Sequence, residues 1–122
     1  MSKDLNVALL LDFYGEMLTD KQRDVIELYY DEDLSLSEIA ETSKITRQGV
    51  RDSIKRGEQT LYDLEEKLGL VKKFLEISGI FDEINLLSAD IYDESKKYSY
   101  SDTITDSAAK IQRLIKSGKE II

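Results

Sequence analysis

The sequence predicts an all-α protein, and three features carry that prediction. Its 122 residues include no proline and only six glycines, so little in the chain interrupts a helix. No stretch alternates apolar and polar residues with the period of two that a half-buried strand needs. Apolar residues instead return every three or four positions, and Ser and Thr stand where helices would begin. With 41% apolar and 34% charged residues, the chain can bury a core but is too polar for a membrane span. Its length suits one domain, or one domain with an appended element.

The elements follow in order. Leu5, Leu9, Phe13 and Met17 recur at i, i+4, with Leu10, Tyr14 and Leu18 widening the stripe, which predicts a first helix over about 5–18. Thr19 and Gln22 form a T-x-x-Q capping box that opens a second helix to about Tyr30, with Val25, Leu28 and Tyr29 inward. The acidic run Asp31-Glu32-Asp33 ends it as a solvated loop, lacking the glycine and ligand spacing of a calcium loop. Ser35-Leu36-Ser37-Glu38 is a second capping box; its short helix buries Ile39 and Ala40 and breaks at Ser43-Lys44-Ile45. From the N-cap Thr46 a long helix runs to about Leu68, with Val50, Ile54, Leu61, Leu64 and Leu68 in one stripe and Gly57 in the same row. Gly69 stops it. A further amphipathic segment covers about 70–92, the chain is turn-like over 98–101, and a last helix reaches about Lys116. That helix carries Ile104, Ala108, Ile111 and Ile115 on one side, with Gly118 after it. Two parts result: a domain over 1–69, and a helical extension over 70–122 expected to pack on it.

The chain has no cysteine and no histidine. That excludes a disulfide framework, Cys/His metal, haem or iron–sulfur sites, and catalysis by a Cys nucleophile or a histidine base. No catalytic residue, metal or cofactor is assigned, and the protein is read as not an enzyme. The N-terminal apolar stretch Val7–Leu11 is too short for a signal or membrane segment. The expected location is the cytoplasm.

The net charge of −8 is unevenly spread. Residues 1–43 and 58–122 are both acidic, whereas Lys44, Arg47, Arg51, Lys55 and Arg56 stand against Asp52 alone over 44–57. A uniformly acidic protein repels phosphate; a focused basic island can dock on it, with steep salt dependence.

That island coincides with a helix-turn-helix. Two capped helices lie about three residues apart, small Ala40 permits close approach, and Ile45 plugs the corner. Projected at about 100° per residue, Gln48 and Lys55 lie opposite the Val50–Ile54 face, Arg51 on its flank and Arg47 at the N-terminal edge. Arg and Gln form bidentate bonds to guanine and adenine edges in a major groove, and Lys44 with the helix N-terminus suits phosphate. The candidate nucleic-acid-binding set is Lys44, Thr46, Arg47, Gln48, Arg51, Lys55 and Arg56. Two residues are unusual there: Lys44 at a turn position that needs a left-handed backbone, and Gly49 inside the helix, at about 1 kcal/mol relative to alanine.

Leu18-Thr19-Asp20-Lys21-Gln22-Arg23, Leu28-Tyr29-Tyr30, Ser35–Glu41, Ile45-Thr46-Arg47-Gln48 and Val50 together resemble region 4 of bacterial sigma factors. Adding Leu11–Gly15 before them, and Ile54-Lys55-Arg56 with Glu65–Leu70 after them, the chain resembles the YlxM family over roughly residues 5–75. The resemblance implies a sigma-region-4-like helix-turn-helix bundle. It also implies a regulatory role in the signal recognition particle pathway, because genes of that family neighbour those of the particle and its receptor. The chain departs from the family pattern at Ser43-Lys44, where a bulky residue and a glycine are common, and at Gly49 and Arg51, where alanine and tyrosine often stand.

Two partner classes follow: DNA or the particle's RNA on the basic island, or a basic protein component of the particle on the acidic surface. A third partner is a second copy. Leu70, Phe74, Ile77, Phe81 and Ile84 are spaced as a heptad seam; it lapses at Ser88, and Leu87, shifted in register, and Ile91 continue the apolar face. These seven apolar residues are the candidate homodimer seam, with Gly79 beside it as a place where the helix could kink and fold back.

Overall fold

A computed structural model describes residues 3, 5–98 and 101–122, and the side chain of Leu5 lies outside that description. The described residues form helices and connecting turns, with no strand among them. The elements are α1 (Leu5–Tyr14), continued by a 3-10 turn over Gly15–Met17, then α2 (Asp20–Tyr30), α3 (Leu36–Ser43), α4 (Arg47–Leu68), α5 (Leu70–Lys97) and α6 (Asp102–Ile121). No helix is long and apolar enough to cross a membrane. The chain divides into two compact units, Met1–Val71 and Lys72–Ile122.

Helix starts in the first unit are set by side chains that satisfy the free N–H groups of the first turn. Thr19 and Ser35 each accept from the backbone N–H three residues on, while Gln22 and Glu38 reach back to the cap's own N–H. The hydrogen bonds to Ser35 hold the Glu38 carboxyl below its ordinary range. The loop 31–35 between α2 and α3 places Asp33 at φ 54. There Asp33 pairs with Lys3, whose ammonium also sits 4.5 Å from the Tyr29 ring centroid. That contact depresses the Asp33 pKa.

Helix α4 is the axis of the first unit, and α1, α2 and α3 all pack against it. Ile39, Val50, Ile54 and Leu61 are fully buried, with Ile26 and Val7 beside them in one cluster. Gly57 makes room for Ile26 in this row: a Cβ there would lie 2.1 Å from Ile26 Cδ1, so the buried Ile26 side chain would have to move. Three expectations change. The inward side of α1 is Val7, Leu10, Leu11 and Tyr14, while Met17 is 65% exposed; the helix is apolar almost all round, so spacing alone does not pick its face. Ile26, not assigned inward from the sequence, is fully buried beside Val25. Leu68, at the end of the α4 stripe, is exposed.

The second unit is an antiparallel hairpin of α5 and α6. Ser88 Oγ donates to the Ala108 carbonyl at 2.6 Å, the Ser95 and Thr105 hydroxyls are 2.6 Å apart, and Lys119 pairs with Asp82. Gly118 accepts the Phe81 ring, which a Cβ would approach to 3.1 Å. Helix α5 runs unbroken through Gly79, to Lys97 rather than Tyr92, and α6 runs through Gly118 to Ile121. Of the expected turn over 98–101, Tyr98 is in a turn and Ser101 caps α6, while residues 99 and 100 lie outside the described set. The candidate dimer seam is distributed over two faces. Phe74 and Phe81 are half-buried, Phe81 against Gly118, whereas Leu70, Ile77, Ile84, Leu87 and Ile91 are 38 to 58% exposed. Ser88, where the heptad lapses, is buried in the α5–α6 contact.

Candidate nucleic-acid interface

The turn between α3 and α4 is built from backbone hydrogen bonds and one left-handed residue. Lys44 caps α3 at φ 57, ψ 41, its N–H bonded to the Ala40 carbonyl, and the Ile45 N–H reaches the same carbonyl at 3.1 Å. This conformation costs an L-residue about 1–2 kcal/mol, a cost glycine avoids. Thr46 then accepts from the Gly49 N–H at 2.9 Å and starts α4. A Cβ on Gly49 would come 3.2 Å from that same Thr46 Oγ1, so glycine leaves the capping hydroxyl room to seat.

Around this turn Lys44, Thr46, Arg47, Gln48, Lys55 and Arg56 are exposed, and Arg51 is half-buried. Arg47, Arg51 and Lys55 follow at i, i+4, i+8 and form one basic ridge along α4. Arg56 lies apart from it, in the neighbouring row of Gln48 and Asp52. No acidic residue occupies the first turn of α4, so the positive end of the helix dipole adds to the ridge. The Gln48 amide donates to Asp52 at 2.9 Å, which lays the glutamine along the helix. The Nε of Arg51 is buried without a hydrogen-bond partner among the described residues.

Two tyrosines hold α4 and were not legible as positioning groups. Tyr30 donates to Glu58 at 2.6 Å and Tyr14 to Glu65 at 2.6 Å. The Tyr14 oxygen also accepts the Leu70 N–H at 3.1 Å, and Glu65 accepts the Val71 N–H at 3.0 Å. Two first-turn amides of α5, those of Leu70 and Val71, are thereby satisfied by α1 and α4. Burial, then the Glu65 carboxylate, pushes the Tyr14 phenol above its ordinary pKa. The only sequence signal was the spacing of Glu58 and Glu65, seven residues apart on one side of α4.

A family model described as "UPF0122: Putative helix-turn-helix protein, YlxM / p13 like" matches residues 1–103. The chain belongs to the UPF0122 family. The matched segment takes in the whole helix-turn-helix unit and α5 and stops in the first turn of α6. A UPF0122 protein of Desulforamulus reducens is 57% identical over 82 residues, covering 66% of this chain and 70% of its own length. A UPF0122 protein of Clostridium kluyveri is 45% identical over 106 residues, covering 80% of this chain and 96% of its own length. A Listeria innocua member is 43% identical over 97 residues, covering 78% and 88%. The YlxM-like resemblance and the all-α helix-turn-helix fold therefore stand. Within this UPF0122 chain, the left-handed Lys44 and the close-packed Gly49 are accommodated without distorting the two helices they join.

Proposed function

We propose that this chain is a nucleic-acid-binding regulatory protein that grips its ligand with the N-terminal half of α4. The observation that carries the reading is the ridge Arg47–Arg51–Lys55 beside a helix N-terminus, on a chain whose net charge is −8. Cations concentrated at one helix edge of an acidic protein are placed where phosphate can be met without approaching the acidic surfaces. Lys44 and the α4 N-terminus would position the backbone, and Gln48 with Arg47 would meet base edges in a major groove. Duplex DNA fits this use of a helix; an A-form RNA has no groove wide enough, so RNA would be held through phosphates or a loop. A regulatory part in the signal recognition particle pathway is the biological setting we attach to this activity, on the family resemblance.

The test is the double variant Arg51→Glu, Lys55→Glu, titrated against duplex DNA and against a structured RNA at low and moderate salt. We expect lost binding with unchanged helicity by circular dichroism. Unchanged affinity would remove this face from nucleic-acid binding and leave docking of a basic protein on the acidic surface as the surviving function.

A further inference from the structure

Apart from Phe81 and Ile115, the hairpin of the second unit keeps its larger apolar side chains out of its own contact line. Where α5 meets α6, the residues are Ser78, Asn85, Ser88 and Ser95 around Phe81, facing Thr105, Ala108, Gln112 and Ile115. Ile77, Ile80, Ile84, Leu87 and Ile91 are instead 38 to 58% exposed. Ile104, Ile111 and Leu114 on α6 are 38 to 60% exposed.

These two stripes share one side of the hairpin. Ile77, Ile80, Ile84 and Leu87 each precede a contact-line residue by one, as do Ile104, Ile111 and Leu114, and Ile91 precedes the half-buried Tyr92 one turn beyond Ser88. One residue is a turn of about 100° about the helix axis. In an antiparallel pair, equal rotations about opposed axes bring both stripes to the same side. The residues that follow contact-line positions form the other side: Asp82, Lys96, Asp106, Arg113 and Lys116, interspersed with Gly79, Ala89, Ala109 and the single large apolar residue Leu86. The hairpin therefore has one apolar face and one charged face.

We infer that the apolar face of the α5–α6 hairpin binds the same face of a second copy, forming a four-helix bundle. The face gathers eight large apolar side chains, each 38 to 60% exposed, an apolar surface that a partner must cover to keep it from water. The rims of the face select a copy of itself. Between residues 76 and 94, α5 carries six acidic residues and no basic one, and Glu76, Glu83 and Asp90 border the face. Helix α6 carries Lys110, Arg113, Lys116 and Lys119 against Asp106 alone over 103–119, with Lys110 on its outer rim. A two-fold axis parallel to the helices lays α5 of one copy over α6 of the other, so unlike charges meet at both rims and neighbouring helices are all antiparallel. The alternative two-fold, α5 over α5, sets acidic rim against acidic rim. This inference does not depend on nucleic-acid binding by the first unit.

Sedimentation velocity of the full chain, from low to high micromolar, is the test. The expected species approaches twice the 14.0 kDa chain mass as concentration rises. Ile80→Lys with Leu87→Lys should weaken association by about a hundredfold or more while keeping its helicity. Leu86→Lys, at a residue 68% exposed on the charged side, should leave association unchanged. Should the double variant lose helicity, the milder Ile111→Ser serves in its place. Glu83→Lys should weaken the dimer, and adding Lys110→Glu should restore it. A chain monomeric at every concentration, as when the face is covered within the same molecule, overturns the proposal. So does a dimer indifferent to the lysines at 80 and 87, and failure of the charge swap to rescue overturns the α5-over-α6 arrangement.

Discussion

The two units spend similar apolar residues in opposite ways. Among the described residues, thirteen of the fifteen buried apolar side chains belong to the first unit, and thirteen of the seventeen exposed large ones to the second. The first unit surrounds α4 with three helices, so an apolar stripe wider than a single contact line is covered from several directions. The second has two helices and one line of contact, and along that line serine hydroxyls bond across it beside Phe81 and Ile115. What separates the units is thus the number of neighbours each helix has, rather than how apolar it is.

The largest break in that contrast comes from equal truncations in the two units. Ile54→Ala, at a fully buried site, is expected to cost about 2–5 kcal/mol in urea unfolding. Ile80→Ala, at a site 56% exposed, should change stability by less than about 0.5 kcal/mol in dilute protein. Equal costs would mean that Ile80 is covered within one chain.

Alkaline titration sharpens the comparison at the junction of α4 and α5. Tyr14 is a buried phenol whose pKa is raised in the folded state. Its neutral form therefore contributes stability that is fully present below the unfolded tyrosine value near 10, and that contribution fades as pH climbs from there through the folded value. Thermal melts followed above that pH should show a loss for the native chain and a smaller one for Tyr14→Phe. A Tyr14→Phe profile parallel to the native one would place the alkaline sensitivity elsewhere. The variant itself should lose about 1 kcal/mol at neutral pH, from the broken bonds to Glu65 and Leu70.

The smallest effect lies at the turn. Lys44→Gly relieves a left-handed lysine and should raise stability by about 1 kcal/mol, while removing one exposed charge of the proposed interface. A stability gain accompanied by weaker, less salt-sensitive nucleic-acid binding would separate the fold's preference from the ligand's.

Much of the first unit was legible because its signals are local. Thr19–Gln22, Ser35–Glu38, Thr46 and Gly69 each satisfy backbone groups within a few residues, and all four sit where the sequence placed them. The candidate interface was legible for the same reason: α4 has a clear apolar stripe, so its opposite side is the exposed one. Tyr14–Glu65 and Tyr30–Glu58 were not, since their partners are 51 and 28 residues apart and no periodicity announces them. Helix α5 was ambiguous for another reason. Phe74, Phe81 and Ser88 run at the same heptad spacing as Ile77, Ile84 and Ile91, one set toward α6 and the other outward, and spacing alone merges the two.

The central claim is that the ridge on α4 holds nucleic acid through its charges, and the salt dependence of binding tests it most directly. With duplex DNA, each phosphate contact contributes a slope of about −0.9 to log K against log salt. The account predicts a steep negative slope for the native chain, made shallower by about 2 in the Arg51→Glu, Lys55→Glu variant at any salt where binding survives. Binding that ignores salt, or a slope the double variant leaves unchanged, would contradict it.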